Sequence, residues 1–335
     1  MNSTTAGSSS LGTPPPTLEY DGCHGYWFDL SFQAVVVGVT SVGAVASAVM
    51  AVALILRSPM PVDCLSPRLL ASTCVAAVTL CVASFTTPAF QLSGKAPGRV
   101  ECVITGSLYL SSVQTMAFCL VCLNVDEYML VMHYSSPHRK WMNHVFSIAP
   151  WLVSWALTIP HWVEYWGCFR PNRFTSHCML RGPWSTRVVN GIATVLVPVG
   201  ATTVIYMVLM MYVLSAKKKS SQPLPDTSMP RFIQVTSSRH SNQKLERDLS
   251  SLLFVLSLVC TFYVGYLPYL IIESYFMEYV GCLGMRLAYL WWICVGGWGP
   301  FFNLVKCSKY RSACRKAWCG RTFSGPDGRA EDFGM

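Results

Sequence analysis

Residues 102–125 read CVITGSLYLSSVQTMAFCLVCLNV, 24 residues without a single Asp, Glu, Lys or Arg, and they run straight into Asp126-Glu127-Tyr128. A helix of about 20 apolar residues crosses the roughly 30 Å hydrocarbon core of a bilayer. Working outward, six more charge-free runs appear: Leu30–Leu56, Leu69–Gly94, Trp141–Val163, Val188–Ala216, Leu249–Ile272 and Leu287–Val305. Any one of them is explicable as the buried helix of a soluble core; seven in a row are not. Only 12% of the 335 residues are charged and 52% are hydrophobic, against about 25% charged in an average soluble protein. Charge this sparse, and clustered between the runs, excludes a soluble enzyme, a nucleic-acid-binding module and a disordered chain. In lipid, a helix is the open-chain way to satisfy every backbone hydrogen bond. The fold class expected is an all-α membrane protein, a seven-transmembrane helix bundle over residues 30–305.

The net charge of +9 becomes informative by location. With the N-terminus outside, segments 57–68, 133–144 and 215–248 and the stretch from 306 hold 18 of the 25 Lys and Arg, including Lys217-Lys218-Lys219. The outer segments hold Lys95, Arg99, Arg170, Arg173, Arg181, Arg187 and Arg286. That split follows the positive-inside rule, so the basic balance reads as topology and contact with anionic lipid headgroups, with no nucleic acid needed. Residues 1–29 form a polar outer tail with Pro14-Pro15-Pro16 and no apolar stretch of a cleavable signal. Asn2-Ser3-Thr4 in it is a glycosylation sequon. Segment 215–248, rich in Ser, Pro and Lys, is the one long inner insert.

Of 15 cysteines, five lie outside or at the outer boundary: Cys23, Cys102, Cys168, Cys178 and Cys282. Disulfides form on that oxidising side. Cys102 opens the third run and Cys178 lies in the long second outer loop, so their bridge would pin that loop over the bundle. Cys23 and Cys282 precede the first and seventh runs, neighbours in a closed bundle, and form a second candidate pair. Five cysteines cannot all pair, and Cys168 is left over. On the inner side Cys307, Cys314 and Cys319 are interleaved with Lys306, Lys309, Arg311, Arg315 and Lys316. Two readings stand: a short amphipathic eighth helix in region 306–335, palmitoylated at Cys314 and Cys319, or reduced thiols without lipid.

The ordered marks along these runs resemble the rhodopsin-like (class A) G-protein-coupled receptors, with the features of an atypical, orphan-type member. In that family an acid–Arg–Tyr triplet follows the third-helix Cys by 24 residues; here that place holds Asp126-Glu127-Tyr128. Trp151 and Pro160 match the fourth helix, Pro198 and Tyr206 the fifth, and Phe262 and Pro268 the sixth, with Tyr266 where a Trp is usual. The seventh-helix motif Asn-Pro-x-x-Tyr becomes Gly299-Pro300-Phe301-Phe302-Asn303, and Tyr310 falls at the start of the eighth helix. The resemblance covers roughly residues 30–320. It implies heterotrimeric G protein and arrestin as partners, an extracellular ligand of unknown identity, a plasma-membrane location, and no cofactor or metal.

The departures bear on mechanism. The acid that binds sodium in the second helix of the family is replaced by Ala77, and Gly299 replaces a polar partner; a hard cation needs several oxygen ligands. Glu127 reverses the sign of the family's Arg, and an ionised carboxylate accepts hydrogen bonds without donating any. Asp248, 20 residues before Pro268, matches the acid that usually pairs with that Arg. Two like charges there would push the helices apart and raise basal activity. Alternatively Glu127 pairs with Arg247 or Lys244, a weak latch of about 0–1 kcal/mol if exposed. The bland reading leaves these acids solvated at the inner interface. Tyr206, Pro300 and Asn303 complete the expected G-protein-facing and activation set.

By family position a ligand cavity would be lined by Tyr109, Asn190, Tyr266, Tyr269, Glu273 and Tyr289. Tyr109 stands seven residues after Cys102, where amine receptors carry an Asp, which argues against a monoamine anchored at that position. Tyr266, Tyr269 and Glu273 share a helix face. Equally, the tyrosines read as packing and interface-belt residues and Glu273 as a water-facing acid. Trp162, Trp166, Arg170 and Arg173 would suit either a peptide or a lipid ligand. Enzymatic motifs are missing from the sequence: there is no Gly-rich phosphate loop, no HExxH pair and no paired CxxC. His161 alone reads as a core histidine, and no repeats of transporter type occur. The reading is therefore a receptor that relays an extracellular signal to G proteins, with weak or ligand-independent coupling. The rival is a non-signalling receptor-fold modulator, scaffold or decoy acting through partner receptors.

Overall fold

A computed structural model of the chain describes residues 26–56, 66–132, 139–220 and 253–306, apart from positions 94, 96, 164–166, 173 and 176. Seven helices make up the bundle. α1 is Tyr26–Leu56, α2 Ser66–Leu92, α3 Arg99–Met132 and α4 Arg139–Thr158, the last tightening into a 3-10 turn at Ile159–His161. α5 runs as Trp184–Gly191, a π-helical stretch Ile192–Leu196, and Val197–Ser220. α6 covers 253–271 and continues into π-helical Ile272–Phe276. Helix Met277–Lys306 is broken at Gly281, and α7 is the part beyond the break.

The helix ends differ from the charge-free runs for local reasons. α1 starts at Tyr26, before the expected Leu30, and carries Asp29 in its first turn, where a carboxylate meets the positive end of the helix dipole. α5 continues to Ser220, past the expected loop start at 215. Lys217-Lys218-Lys219 are good helix formers by intrinsic propensity. The π-helical stretch of α5 directly precedes Pro198, whose ring nitrogen has no hydrogen to give the Thr194 carbonyl a turn earlier. At Gly281 the backbone takes φ 69° and ψ −177°, a region open chiefly to glycine.

Six of the helices are long and apolar enough to cross a membrane among the described residues; α4, opening on Arg139-Lys140, completes the ring. α1 packs on α2 and α7, α2 on α3, α4 and α7, and α3 on α4 and α5. The centre is apolar, with Leu69, Leu80, Val113, Met116, Leu123, Tyr289 and Trp292 all buried. The outside is apolar too: Val45, Leu152 and Val204 are 64%, 65% and 64% exposed. Lipid, not water, suits such a surface.

With little hydrophobic drive between helices in lipid, polar contacts hold them in register. Trp151 Nε1 donates to Ser72 Oγ at 2.7 Å, tying α4 to α2. Ser47 Oγ donates to the Gly297 carbonyl at 2.8 Å, and Trp298 Nε1 to the Val39 carbonyl at 3.3 Å, clamping α1 to α7. Several other buried hydroxyls are satisfied within their own helix, as Thr40 Oγ1 donating to the Val36 carbonyl at 2.7 Å.

Candidate functional site

The outer end of the bundle is closed by a hairpin that the charge-free runs could not announce. β1 (Cys168–Pro171) pairs antiparallel with β2 (Cys178–Arg181), Cys168 opposite Arg181 and Pro171 opposite Cys178. Its tip is held by Asn172. The Asn172 N–H donates to the His177 carbonyl at 2.8 Å, and its Oδ1 accepts the Phe174 N–H at 2.8 Å. This is an Asx-type turn built from the side chain's own reach. Cys178 is bonded to Cys102 at the head of α3, the first of the two pairings expected. Cys282 is also disulfide-bonded; its expected partner, Cys23, lies outside the described residues. Cys168 is a free, half-buried thiol.

The disulfide pulls the hairpin down into the bundle. Phe169 packs on α3 at Gly106. The tip sends His177 between Tyr109 of α3 and Tyr289 of α7, with ring centroids 4.2 Å and 5.3 Å away. Neither ring nitrogen of His177 has a hydrogen-bond partner among the described residues, and the residue is fully buried. Burial therefore pushes its pKa from the ordinary 6.5 down to about 3, because the charged imidazolium cannot be hydrated there. Arg286 of α7 is 2% exposed; its Nε donates to the Phe174 carbonyl at 2.9 Å, its guanidinium pairs with Asp29 of α1, and it lies over the Phe32 ring. One buried cation thus ties the hairpin tip, α7 and α1 together.

Beside this plug, between α3, α5, α6 and the hairpin, lies a cavity of about 80 Å³. Five of the six expected ligand-lining residues meet around it: Tyr109, Asn190, Tyr266, Tyr269 and Glu273. Tyr289 does not line it; its ring is covered by His177 and Tyr269. Sequence spacing carries no information on where the hairpin inserts over Tyr289. The hairpin adds Phe169, Cys178, Met179 and Leu180 to the wall, and α5 adds Thr194. Asn190 is oriented by its neighbours: Gln114 Nε2 donates to its Oδ1 at 3.5 Å, and its Nδ2 donates to His161 Nε2 at 3.4 Å. His161 is buried in that contact, as a core histidine would be. Tyr269 donates to the Met179 sulfur at 3.6 Å, fastening α6 to the hairpin. Below the cavity the Tyr266 ring packs tilted against Trp292, centroids 4.9 Å apart, and lies 5.8 Å from Phe262, an aromatic floor shared by α6 and α7. Trp292, fully buried, has no mark in the sequence that separates it from the other tryptophans.

At the inner end, Asp126 and Glu127 are 4% and 8% exposed, so neither is a solvated acid at a wet rim, and neither is without a partner. Tyr128 packs with Ile205 of α5 against Leu209 and Val213, fixing α3 to α5; Tyr206 is half-buried one residue further along α5. Gly299 and Pro300 are buried in α7. A Cβ at Gly299 would come within 3.1 Å of Thr261 Cγ2 of α6, so a larger residue in that place would press on the Thr261 side chain. Asn303 lies on α7. Ala77 is fully buried in α2, leaving an apolar wall where the resemblance put an acid. Arg247, Asp248, Lys244, Asn2, Cys314 and Cys319 lie outside the described residues.

Seven packed helices with a hairpin bridged to the head of α3 define a class of multi-pass membrane receptor. The family model of the 7 transmembrane receptor (rhodopsin family) matches residues 48–303, and the chain belongs to that family. Its fold is similar to the crystal structure of squid rhodopsin, with TM-score 0.77, 12% identity, and coverage of 92% of this chain and 90% of that one. No curated protein sequence matches it. The family comprises receptors that interact with G proteins and extracellular ligands, so the chain is a signalling receptor in kind and not an enzyme.

Proposed function

We propose that the chain is a plasma-membrane receptor, its N-terminus extracellular, that relays an outer signal to G proteins with weak or ligand-independent coupling. The observation that carries this reading is Glu127. It stands buried at the inner end of α3, where the family's Arg donates hydrogen bonds to the G protein. An ionised carboxylate has no donor to replace those contacts. Ala77 and Gly299 support the same reading, since the polar network that would couple α2 to α7 is missing from both sides. The hairpin plug fits a receptor whose outer cavity is partly filled by its own chain. Outer glycosylation at Asn2, a Cys23–Cys282 bridge, and palmitoylation at Cys314 and Cys319 of an eighth helix belong to this reading as proposals.

The same three substitutions favour a second reading: a receptor-fold protein that modulates or sequesters a partner receptor without signalling. Expression with a panel of G-protein sensors separates the two. The signalling reading expects a small basal signal that changes in Glu127→Ala. A flat response in every sensor, with co-purification of a second receptor, would replace it with the modulator. Robust basal coupling unchanged in Glu127→Ala would show that this position does not limit signalling.

A further inference from the structure

We infer that Trp291 of α7 is a clasp on the proline hinge of α6: its indole supplies the hydrogen that Pro268 cannot give, and its release lets the two halves of α6 move separately. In an α-helix the Val264 carbonyl accepts from the N–H four residues on. That residue is Pro268, which has no N–H to offer. α6 is nevertheless helical through 264–271. Within a bilayer a bare carbonyl meets no water, and a proline inside a spanning helix is tolerated where a neighbouring helix satisfies the group it frees. Trp291 Nε1 does this, donating to the Val264 carbonyl at 3.1 Å. A helix that lacks a ladder bond at a proline bends at that place. Because the replacement bond runs between two helices, motion of α6 away from α7 breaks it, whereas the bonds within α6 survive.

Depth separates Trp291 from an aromatic of the interface belt, which sits at the headgroups. Val264 and Trp291 both face outward, 58% and 50% exposed, so lipid surrounds their bond. Counted at 1.5 Å per residue from the break at Gly281, Trp291 lies about 15 Å along α7. That is midway through a hydrocarbon core roughly 30 Å thick, out of reach of headgroups and water. The seam around the bond is tight. A Cβ at Gly265 would fall 2.5 Å from Val295 Cγ1 and 2.7 Å from Val295 Cβ, and valine is stiff at χ1. Glycine at 265 thus brings the α6 backbone close enough for a side chain of α7 to reach a main-chain oxygen. Beyond the proline, only residues 269–271 keep α-helical geometry before the π-helical stretch Ile272–Phe276. α6 therefore has two soft points four residues apart, Pro268 and Ile272, and the Trp291 bond acts at the first.

The test uses the purified full-length chain in lipid nanodiscs, with hydrogen exchange over residues 262–272 and thermal unfolding as readouts. Trp291→Phe removes the donor and keeps an aromatic ring. Pro268→Ala gives the Val264 carbonyl an N–H of its own helix and makes the clasp redundant. Trp291→Phe should speed exchange across 262–272 about threefold or more, the factor matching an average hydrogen bond between membrane helices, and leave exchange in α2 as it is. In the Pro268→Ala background the same substitution should change neither readout. Exchange in Trp291→Phe equal to that of wild type would overturn the proposal. Equal acceleration in both backgrounds would also overturn it, making Trp291 a packing residue. Should Trp291→Phe fail to fold alone, Pro268→Ala should rescue it, and failure in both backgrounds would count against the clasp in the same way. Neither readout involves a G protein, so the result stands apart from the coupling proposed above.

Discussion

Individual side chains carry the departures of this receptor from its family. Glu127 is an acid where donors are needed, and its burial at 8% exposure means the sign reversal sits inside the helix packing rather than in bulk water. Gly299 was legible as a missing Asn, but its close approach to the Thr261 side chain of α6 was not. Arg286 reads in the sequence as one of seven outer basic residues, yet it is buried at 2% exposure and ion-paired with Asp29. No periodicity distinguishes a loop arginine that snorkels from one that turns inward. Removing one member of a buried pair strands the other charge. Arg286→Met should cost about 3 kcal/mol, at the low end for breaking a buried ion pair, because Asp29 keeps 34% of its side chain open. Thermal unfolding in nanodiscs measures this, and the double variant with Asp29→Asn should recover most of the loss. A single variant as stable as wild type would remove the pair from the scheme.

Among the elements, the hairpin Cys168–Arg181 is the one that spacing could not place. Its strands are four residues each, too short for an alternation signal, and the Cys102–Cys178 bond decides how deep it sits. That bond was foreseeable from compartment; the insertion of His177 between Tyr109 and Tyr289 was not. The insertion has a pH sign. His177 is neutral while buried and titrates near 3, whereas a withdrawn, hydrated His177 titrates near its ordinary 6.5. Below 6.5 the withdrawn state binds the extra proton, so the inserted state is fully favoured above that pH and progressively disfavoured as pH falls towards 3. At pH 5.5 the loss is about 1.4 kcal/mol. The ionisable groups whose rings pack on it are Tyr109 of α3 and Tyr289 of α7, and His177→Phe isolates the imidazole from them. Hydrogen exchange over 168–181 should quicken between pH 7.5 and 5.5, once corrected for intrinsic rates, and the change should vanish in His177→Phe. Persistence of the change in that variant would assign it to another group. At the inner side, segment 215–248 holds Ser220, Ser221, Thr227, Ser228, Thr236, Ser237, Ser238 and Ser241. If phosphorylation there recruits arrestin, deleting 220–241 should abolish recruitment, and undiminished recruitment would place the phosphosites elsewhere.

At the scale of the whole molecule, charge distribution was enough for the bundle. Runs such as 102–125 became helices because lipid leaves the backbone no other partner, and they survive Pro88, Pro150 and Pro300 within helices. The helix-borne half of the cavity was legible for the same reason, since fixed spacings on α3, α5 and α6 bring Tyr109, Asn190, Tyr266, Tyr269 and Glu273 to one level. The loop-borne half was not, because a turn residue's position depends on the disulfide and on what it finds beneath it. The two ends of the molecule now carry opposite messages. The outer end keeps a lined cavity under a pinned hairpin, while the proposed reading rests on Glu127 at the inner end, at the place where the resemblance puts a cation. The most direct measurement is basal coupling of wild type beside Glu127→Arg, at matched surface expression, across a full panel of G-protein sensors. Restoring the donor should raise coupling severalfold in at least one sensor. Coupling of Glu127→Arg that is indistinguishable from wild type in every sensor would contradict the role given to Glu127.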